Sequence, residues 1–396
     1  MLSALMFVIF LVLVTTWVGY PLWLRRQTHY TDNYPAVADL PSAEILIAAH
    51  NEEQCIEARL ANLRDANAPG LRRIWVGDDA STDNTPAILK EWAQRDSVLR
   101  FVPGSARKGK AGILKSLVAE IAKDPEPPDL LIFTDANTRF APDALNEMRI
   151  PFQDPQVGGV CGRLVFEGGA PAGRELDYWA RENEWKAAES RADSCLGANG
   201  AIYAIRRELF WNALPADTVI DDFVIGMKIR EQGRRMVYWG RAVAWEETPP
   251  GWAEEFRRRI RIGSGAFQAM GLCRRCLSPR YGRFAAMFAL HKVARWLTPL
   301  LIVALVGLAI VQAAVFGGGW VNGLVLCGTA VGIFLAAVGG WAHVRGIRQM
   351  TVIQAWAYFC LVQAAFLCGF FRFAKGGLSG SWERTERGEV QQGHRL

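Results

Sequence analysis

Paired cysteines are missing from this chain. Its 396 residues contain eight, scattered along the length and three of them inside apolar stretches, a distribution that fits buried reduced thiols and argues against a disulfide framework. Cys273 and Cys276 form a Cys-x-x-Cys with no second pair, so the usual spacing of a structural zinc site is absent. No Lys or Arg precedes the first apolar run, residues 5–24, whereas Arg25 and Arg26 follow it directly. A cleaved signal peptide needs a positive start; without one, residues 1–26 read as a membrane anchor whose C-terminal side is cytoplasmic. Ionisable residues are scarce in the later apolar stretches, 294–316, 320–342 and 352–374, which argues against an ion-coupled transporter. The net charge of +6 comes without an aromatic-interleaved basic platform, so no nucleic-acid partner is expected.

What is present is a partition. Residues 44–275 read as a water-soluble domain, 276–375 as an interfacial segment followed by membrane helices, and 376–396 as a polar tail. Each of the three C-terminal apolar stretches is long enough for the ~30 Å hydrocarbon core. Arg257, Arg258, Arg259 and Arg261, then Arg274, Arg275, Arg280 and Arg283, lie just ahead of them, where anionic headgroups would receive the charge. The topology is under tension: Arg345 and Arg348 argue for the same side as that basic segment, and three full spans would leave Arg372 and Lys375 opposite. One stretch is therefore a candidate for a re-entrant or interfacial segment.

Within the soluble domain, residues 44–49 read as a strand closed by His50-Asn51-Glu52-Glu53, with a helical pattern to Leu63. Residues 74–77 form a second short strand, ending in Asp78-Asp79-Ala80-Ser81-Thr82-Asp83-Asn84, and Pro86 opens the next helix. The apolar run 130–133 ends in Thr134-Asp135-Ala136-Asn137-Thr138. Alternating strands and helices of this length predict an α/β, doubly wound, Rossmann-like and mostly parallel sheet whose polar strand ends share one crevice. Asp135 and Asn137 are spaced to offer two oxygen ligands to Mg²⁺ or Mn²⁺; an Asx turn with a helix cap is the plainer alternative. Asp78, Asp79 and Asp83 repel one another, so the cluster needs donors or a cation. Lys108-Gly109-Lys110 brings cations on a glycine turn into a helix, where a diphosphate could be met.

Ala-His-Asn-Glu-Glu at 49–53, Asp-Asp-Ala-Ser-Thr-Asp at 78–83, Lys-Gly-Lys at 108–110 and Thr-Asp-Ala-Asn-Thr at 134–138 together resemble the GT-A domain of family 2 glycosyltransferases. Gly197-Ala198-Asn199-Gly200-Ala201, Ile220-Asp221-Asp222-Phe223 and Arg258-Arg259-Ile260-Arg261-Ile262 stand where that family has its acceptor-site turn, its acidic pair and its Gln-x-x-Arg-Trp segment. The anchor and C-terminal helices resemble the membrane-bound branch of chitin, hyaluronan and poly-N-acetylglucosamine synthases. The resemblance implies an integral protein of a bacterial-type inner membrane with a cytoplasmic catalytic domain and an inverting transfer. Asp222 would be the general base. Asn51, Glu52, Asp79, Lys110, Asp135, Arg258 and Arg261 would hold a nucleotide-sugar donor, a UDP-sugar by resemblance. Gly197, Asn199, Gly200 and Asp221 would form the acceptor side, and Asp135 with Asn137 the Mg²⁺ or Mn²⁺ site.

Two departures stand out. Asn137 replaces the second acidic residue of Asp-x-Asp, and Arg258 and Ile262 replace the Gln and Trp of Gln-x-x-Arg-Trp. That Trp packs at the acceptor end of processive synthases; the resemblance still implies a growing exopolysaccharide or envelope glycan as the acceptor, with an export or assembly partner, and the alternative is a lipid or lipid-linked molecule receiving one sugar. Trp179, Trp185 or Trp245 could stack on a sugar ring, with core packing as the alternative. The tail residues Trp382 to Arg387 could fold over the site or remain a free terminus.

Overall fold

The computed structural model describes residues 2–31, 33–35, 39–66, 68–167, 173–247, 251–347, 350–378 and 380, with the side chains of 173–179 excepted. The chain opens with the apolar helix α1 (Leu2–Leu24). The catalytic domain follows as β1 (Ala43–Ala49), α2 (Ile56–Asp65), β2 (Leu71–Asp78), α3 (Thr85–Arg95), β3 (Leu99–Val102), α4 (Gly109–Ile121) and β4 (Leu130–Asp135). It continues with β5 (Arg139–Phe140), α5 (Ala144–Arg149), β6 (Val157–Glu167), α6 (Gly173–Ala192), β7 (Tyr203–Arg206), α7 (Asp221–Glu231), β8 (Arg235–Glu247) and α8 (Trp252–Leu272). Three further apolar helices, α9 (Arg283–Phe316), α10 (Trp320–Val344) and α11 (Thr351–Ala374), complete the described chain.

The strands form one eight-stranded mixed sheet in the order β3-β2-β1-β4-β7-β6-β8-β5. β3, β2, β1 and β4 run parallel, β7 is antiparallel to both neighbours, and β6 pairs in parallel with β8. Successive side chains of a strand point to opposite faces, and here both faces are covered. Ile45 and Ile47 enter one apolar core with Ile74, Val76 and Ile132, while Leu46 and Ala48 enter the other with Trp75, Leu131 and Phe133. Burial on both faces explains why these strands read as uninterrupted apolar runs.

The register fixes the crevice. Ala48 lies opposite Asp135 and Ala49 opposite Asp78, so the polar ends of β1, β2 and β4 share one edge. The chain leaves β1 toward β2 and β3, then returns to β4 on its other side; such a switch point opens a cleft beyond the strand ends.

The apolar helices dock on the catalytic domain through polar contacts. α1 runs antiparallel to α9, with Ser3 beside Gln312 and Trp17 Nε1 donating to Thr298 Oγ1 over 3.1 Å. Buried Glu189 of α6 accepts from Tyr20 of α1 at 2.8 Å and pairs with His291 of α9. α11 tracks α8: Trp252, which also stacks on His343 of α10, meets Tyr358, Gly263 touches Phe366, and Phe267 packs against Phe370 and Phe373. Close approach is possible because Gly369 sits on the backbone of α8, where a Cβ would lie 2.7 Å from Ser264 N. α11 is thus laid along a charged helix, α8, while remaining long and apolar enough to cross a membrane.

Candidate active site

At the switch point lies a cavity of about 370 Å³ that gathers Glu52, Asp135, Asn137, Asn199, Gly200, Asp221, Asp222, Arg258, Arg261 and Lys110. Most of the residues singled out from sequence therefore converge. Asp135 ends β4, and Asp221 and Asp222 occupy the first turn of α7, where carboxylates favour the positive end of the helix. Asp222 Oδ1 accepts from Phe223 N at 2.8 Å. Ile220 holds the N-cap position of this helix, and Asp221 Oδ2 is buried with no hydrogen-bond partner among the described residues.

Lys110 is the central cation. Its Nζ pairs with Asp135 Oδ1 and lies 3.3 Å from where a Cβ on Gly200 would stand, a position that is also 3.1 Å from Asp222 Oδ2. Burial works against its charge, but Asp135, Asp221 and Asp222 together hold the Lys110 pKa above the ordinary lysine value. Burial likewise pushes Asp221 up to about 6, with Lys110 opposing and Asp222 and Asp135 adding to the shift. Arg261 is lowered by burial and by neighbouring Arg258, while the three aspartates counteract.

Asp79 is placed differently. It is wholly buried and outside the cavity lining. Its carboxylate accepts from Gly109 N at 3.2 Å and from Lys108 N, and it pairs with Arg107 Nε at 3.0 Å. Asp78 accepts from Ser81 N, and Asp83 from Glu53 N and Thr85 N. The donors that this acidic cluster requires are thus supplied by the protein's own loops. Asn51 belongs to the same clamp: in a left-handed conformation (φ 55°) it accepts from Thr82 N at 2.8 Å. Gly197 (φ 74°) turns the chain ahead of Asn199 and Gly200, where a Cβ would strike Phe223 at 2.5 Å.

Several lining residues were not legible in the sequence. Glu182 and Lys186 of α6, Glu246 of β8, Lys292 and Trp296 of α9 and Phe366 of α11 close the cavity. Burial opposes the charge of Glu182, but Lys292, His291 and Lys186 hold its carboxyl well below the usual range. Trp185 packs edge-on to His291 and Trp245 receives Arg139 on its face; neither lines the cavity. The side chain of Trp179 and the segment Trp382 to Arg387 lie outside the described residues.

A divalent cation fits the donor set in one way. Glu52, Asp135, Asp221 and Asp222 line one cavity, but among the described residues no three or more His, Cys, Asp or Glu side chains are placed to hold a metal ion by themselves, so a dedicated protein cage is not formed. Asp135 and Asn137 offer a carboxylate and an amide oxygen into an open cavity, which suits an ion whose remaining ligands are substrate phosphates and water.

Comparison with known proteins agrees with this architecture. The family described as Glycosyl transferase family 2 matches residues 44–214, and Glycosyl transferase family group 2 matches residues 130–370. An N-acetylglucosaminyltransferase of Rhizobium meliloti (strain 1021) is 27% identical over 174 residues, 42% of this chain and 40% of that relative, so the match spans less than half of that relative's length. A beta-monoglucosyldiacylglycerol synthase of Nostoc sp. (strain PCC 7120 / SAG 25.82 / UTEX 2576) is 31% identical over 168 residues, 40% of this chain and 34% of that one. Among solved structures, the mannosyltransferase PcManGT from Pyrobaculum calidifontis, in complex with GDP-Man and Mn²⁺, aligns with a TM-score of 0.68 at 21% identity, covering 94% of this chain and 99% of that one. With a family match running from β4 into α11, a GT-A sheet and four long apolar helices, the chain belongs to the membrane-bound family 2 glycosyltransferases.

Proposed function

We propose that this enzyme transfers one sugar from a nucleoside diphosphate sugar to a hydroxyl of a membrane-held, lipid-linked acceptor, inverting the anomeric carbon. The observation that carries this reading is one wall of the charged cavity: it is formed by Lys292, Trp296 and Phe366, which belong to the apolar helices α9 and α11. An acceptor seated in the membrane reaches the cavity there without leaving it.

Asp222 takes the proton of the acceptor hydroxyl as that oxygen bonds to the anomeric carbon. The bond from that carbon to the diphosphate breaks, and the nucleoside diphosphate leaves from the opposite face. Lys110, Arg258 and Arg261 offset the charge gathering on the departing group. Asp135 and Asn137 would hold Mg²⁺ or Mn²⁺, which when bound neutralises the diphosphate. Glu52 lies on the donor side, and Asn51 and Asp79 act from behind it by shaping the two loops that frame the nucleotide. Gly197, Asn199, Gly200 and Asp221 form the acceptor floor. The basic residues after α1 support a catalytic domain on the cytoplasmic side.

Extension of an exopolysaccharide or envelope glycan is the second reading, favoured by the similarity to N-acetylglucosaminyltransferases. Ile262, where processive relatives have Trp, lines the cavity and favours the first. The test is metal-dependent nucleotide release from a panel of UDP- and GDP-sugars by the full chain in lipid nanodiscs, with the product sized in the same tube. One discrete lipid product is expected, from a UDP-sugar. A ladder supports extension, and no release from any donor overturns the assignment.

A further inference from the structure

A second cavity, of about 500 Å³, lies between α9 and α11 on the membrane side of the catalytic domain, and it shares Arg259, Lys292, Trp296 and Phe366 with the acid-lined one. The two therefore meet at a neck. Away from the neck the lining is largely apolar, with Phe359 of α11 packed against Trp17 of α1 and Val362 beside them. Besides Arg259 and Lys292 at the neck, the lining holds two further cations, Arg181 and Arg295, and no carboxylate. Two are neutralised from behind: Lys292 by Glu182 at 2.8 Å and Arg259 by Glu255. Arg181 and Arg295 line the cavity and make no ion pair among the described residues, although Arg295 is near enough to help hold Glu182 ionised. Arg295 is held between two indole faces, 4.7 Å from Trp17 and 4.6 Å from Trp185, so its planar fork stays available for bidentate contact with phosphate oxygens. Further in, Gln363 Oε1 is buried with no hydrogen-bond partner among the described residues.

We propose that the acceptor is a sugar joined to a long-chain lipid through a diphosphate, with the lipid between α9 and α11, the diphosphate at Arg181 and Arg295, and the sugar beside Asp222. This rests on the reading of a lipid-linked acceptor and names its chemistry. A diphosphate bridge carries one charge on each phosphate and can meet Arg181 and Arg295 together, whereas a neutral glycolipid offers these cations no anion.

The test uses the full chain in maltoside detergent, which contains no phosphate, with two probes: N-acetylglucosamine linked to farnesol through a diphosphate, and the farnesyl glycoside of the same sugar. Binding is read by native mass spectrometry, and metal-dependent nucleotide affinity by calorimetry on the same sample. The diphosphate probe is expected to bind at least about tenfold tighter, with Arg181→Gln and Arg295→Gln each losing about tenfold for that probe alone. Arg181 is exposed, so its variant keeps the test valid if Arg295→Gln misfolds. Equal affinity for both probes, or unchanged affinity in Arg181→Gln, overturns the inference while nucleotide binding persists. Loss of nucleotide binding in the unmodified chain would instead overturn the donor reading beneath it.

Discussion

Asp221→Asn should make this enzyme more stable, and only above a defined pH. Asp221 is buried, one of its oxygens has no partner among the described residues, and its pKa stands at about 6 against an ordinary 3.8. A carboxyl whose folded pKa is raised stabilises the fold fully below the unfolded value, and that contribution is lost as pH rises through the folded value. Two units at about 1.36 kcal/mol each give about 3 kcal/mol forfeited by pH 7. Asparagine keeps the shape without the charge. With metal chelated, the variant should match the parent near pH 4 and gain stability through pH 5 to 7. At roughly 2–4 °C per kcal/mol for a domain of this size, the gain in Tm is roughly 6 to 12 °C. Tryptophan fluorescence during thermal unfolding in detergent, across that pH range, reads it directly. A gain equal at pH 4 and pH 8, or none at pH 8, would refute the reasoning and place the cost of Asp221 elsewhere.

Three further outcomes follow from the site and its supports. Asp222→Asn should cut transfer by about 10³-fold with nucleotide affinity retained, measured by product formation beside nucleotide titration. Gly200→Ala places a methyl 3.1 Å from Asp222 Oδ2 and 3.3 Å from Lys110 Nζ; transfer should fall about tenfold or more through misplacement while Tm is unchanged. Glu189→Ala leaves Tyr20 and His291 without their shared acceptor, and thermal unfolding should report about 3 kcal/mol of lost stability, as when one partner of a buried polar group is removed.

The parts of this protein visible in its sequence are those where one element carries its own signal. β1, β2 and β4 are apolar runs that stop at polar residues, and parallel pairing then brings Asp135 to a shared edge with no further information. The acidic cluster at 78–83 shows where such reading ends. Its charges do demand donors, but the donors to Asp79 are Arg107, Lys108 and Gly109 from a later loop, so a group that looked outward from sequence is turned inward by tertiary structure. Lys186, Lys292, Trp296 and Phe366 were illegible for a related reason: each is ordinary on its own helix, and only packing of α6, α9 and α11 brings them to one wall. The seating of α11 on α8 was hidden likewise, because it depends on glycines 263 and 369 meeting across two helices.

That contact has a consequence for what happens after the reaction. α11, one of four helices long and apolar enough to cross a membrane, is fastened along α8 and also walls the cavity through Phe366. On the proposed function, a glycosylated lipid formed at Asp222 is released beside α11 into the leaflet where it was made and departs by lateral diffusion. Its movement to the other leaflet would then be an event separate from the transfer itself.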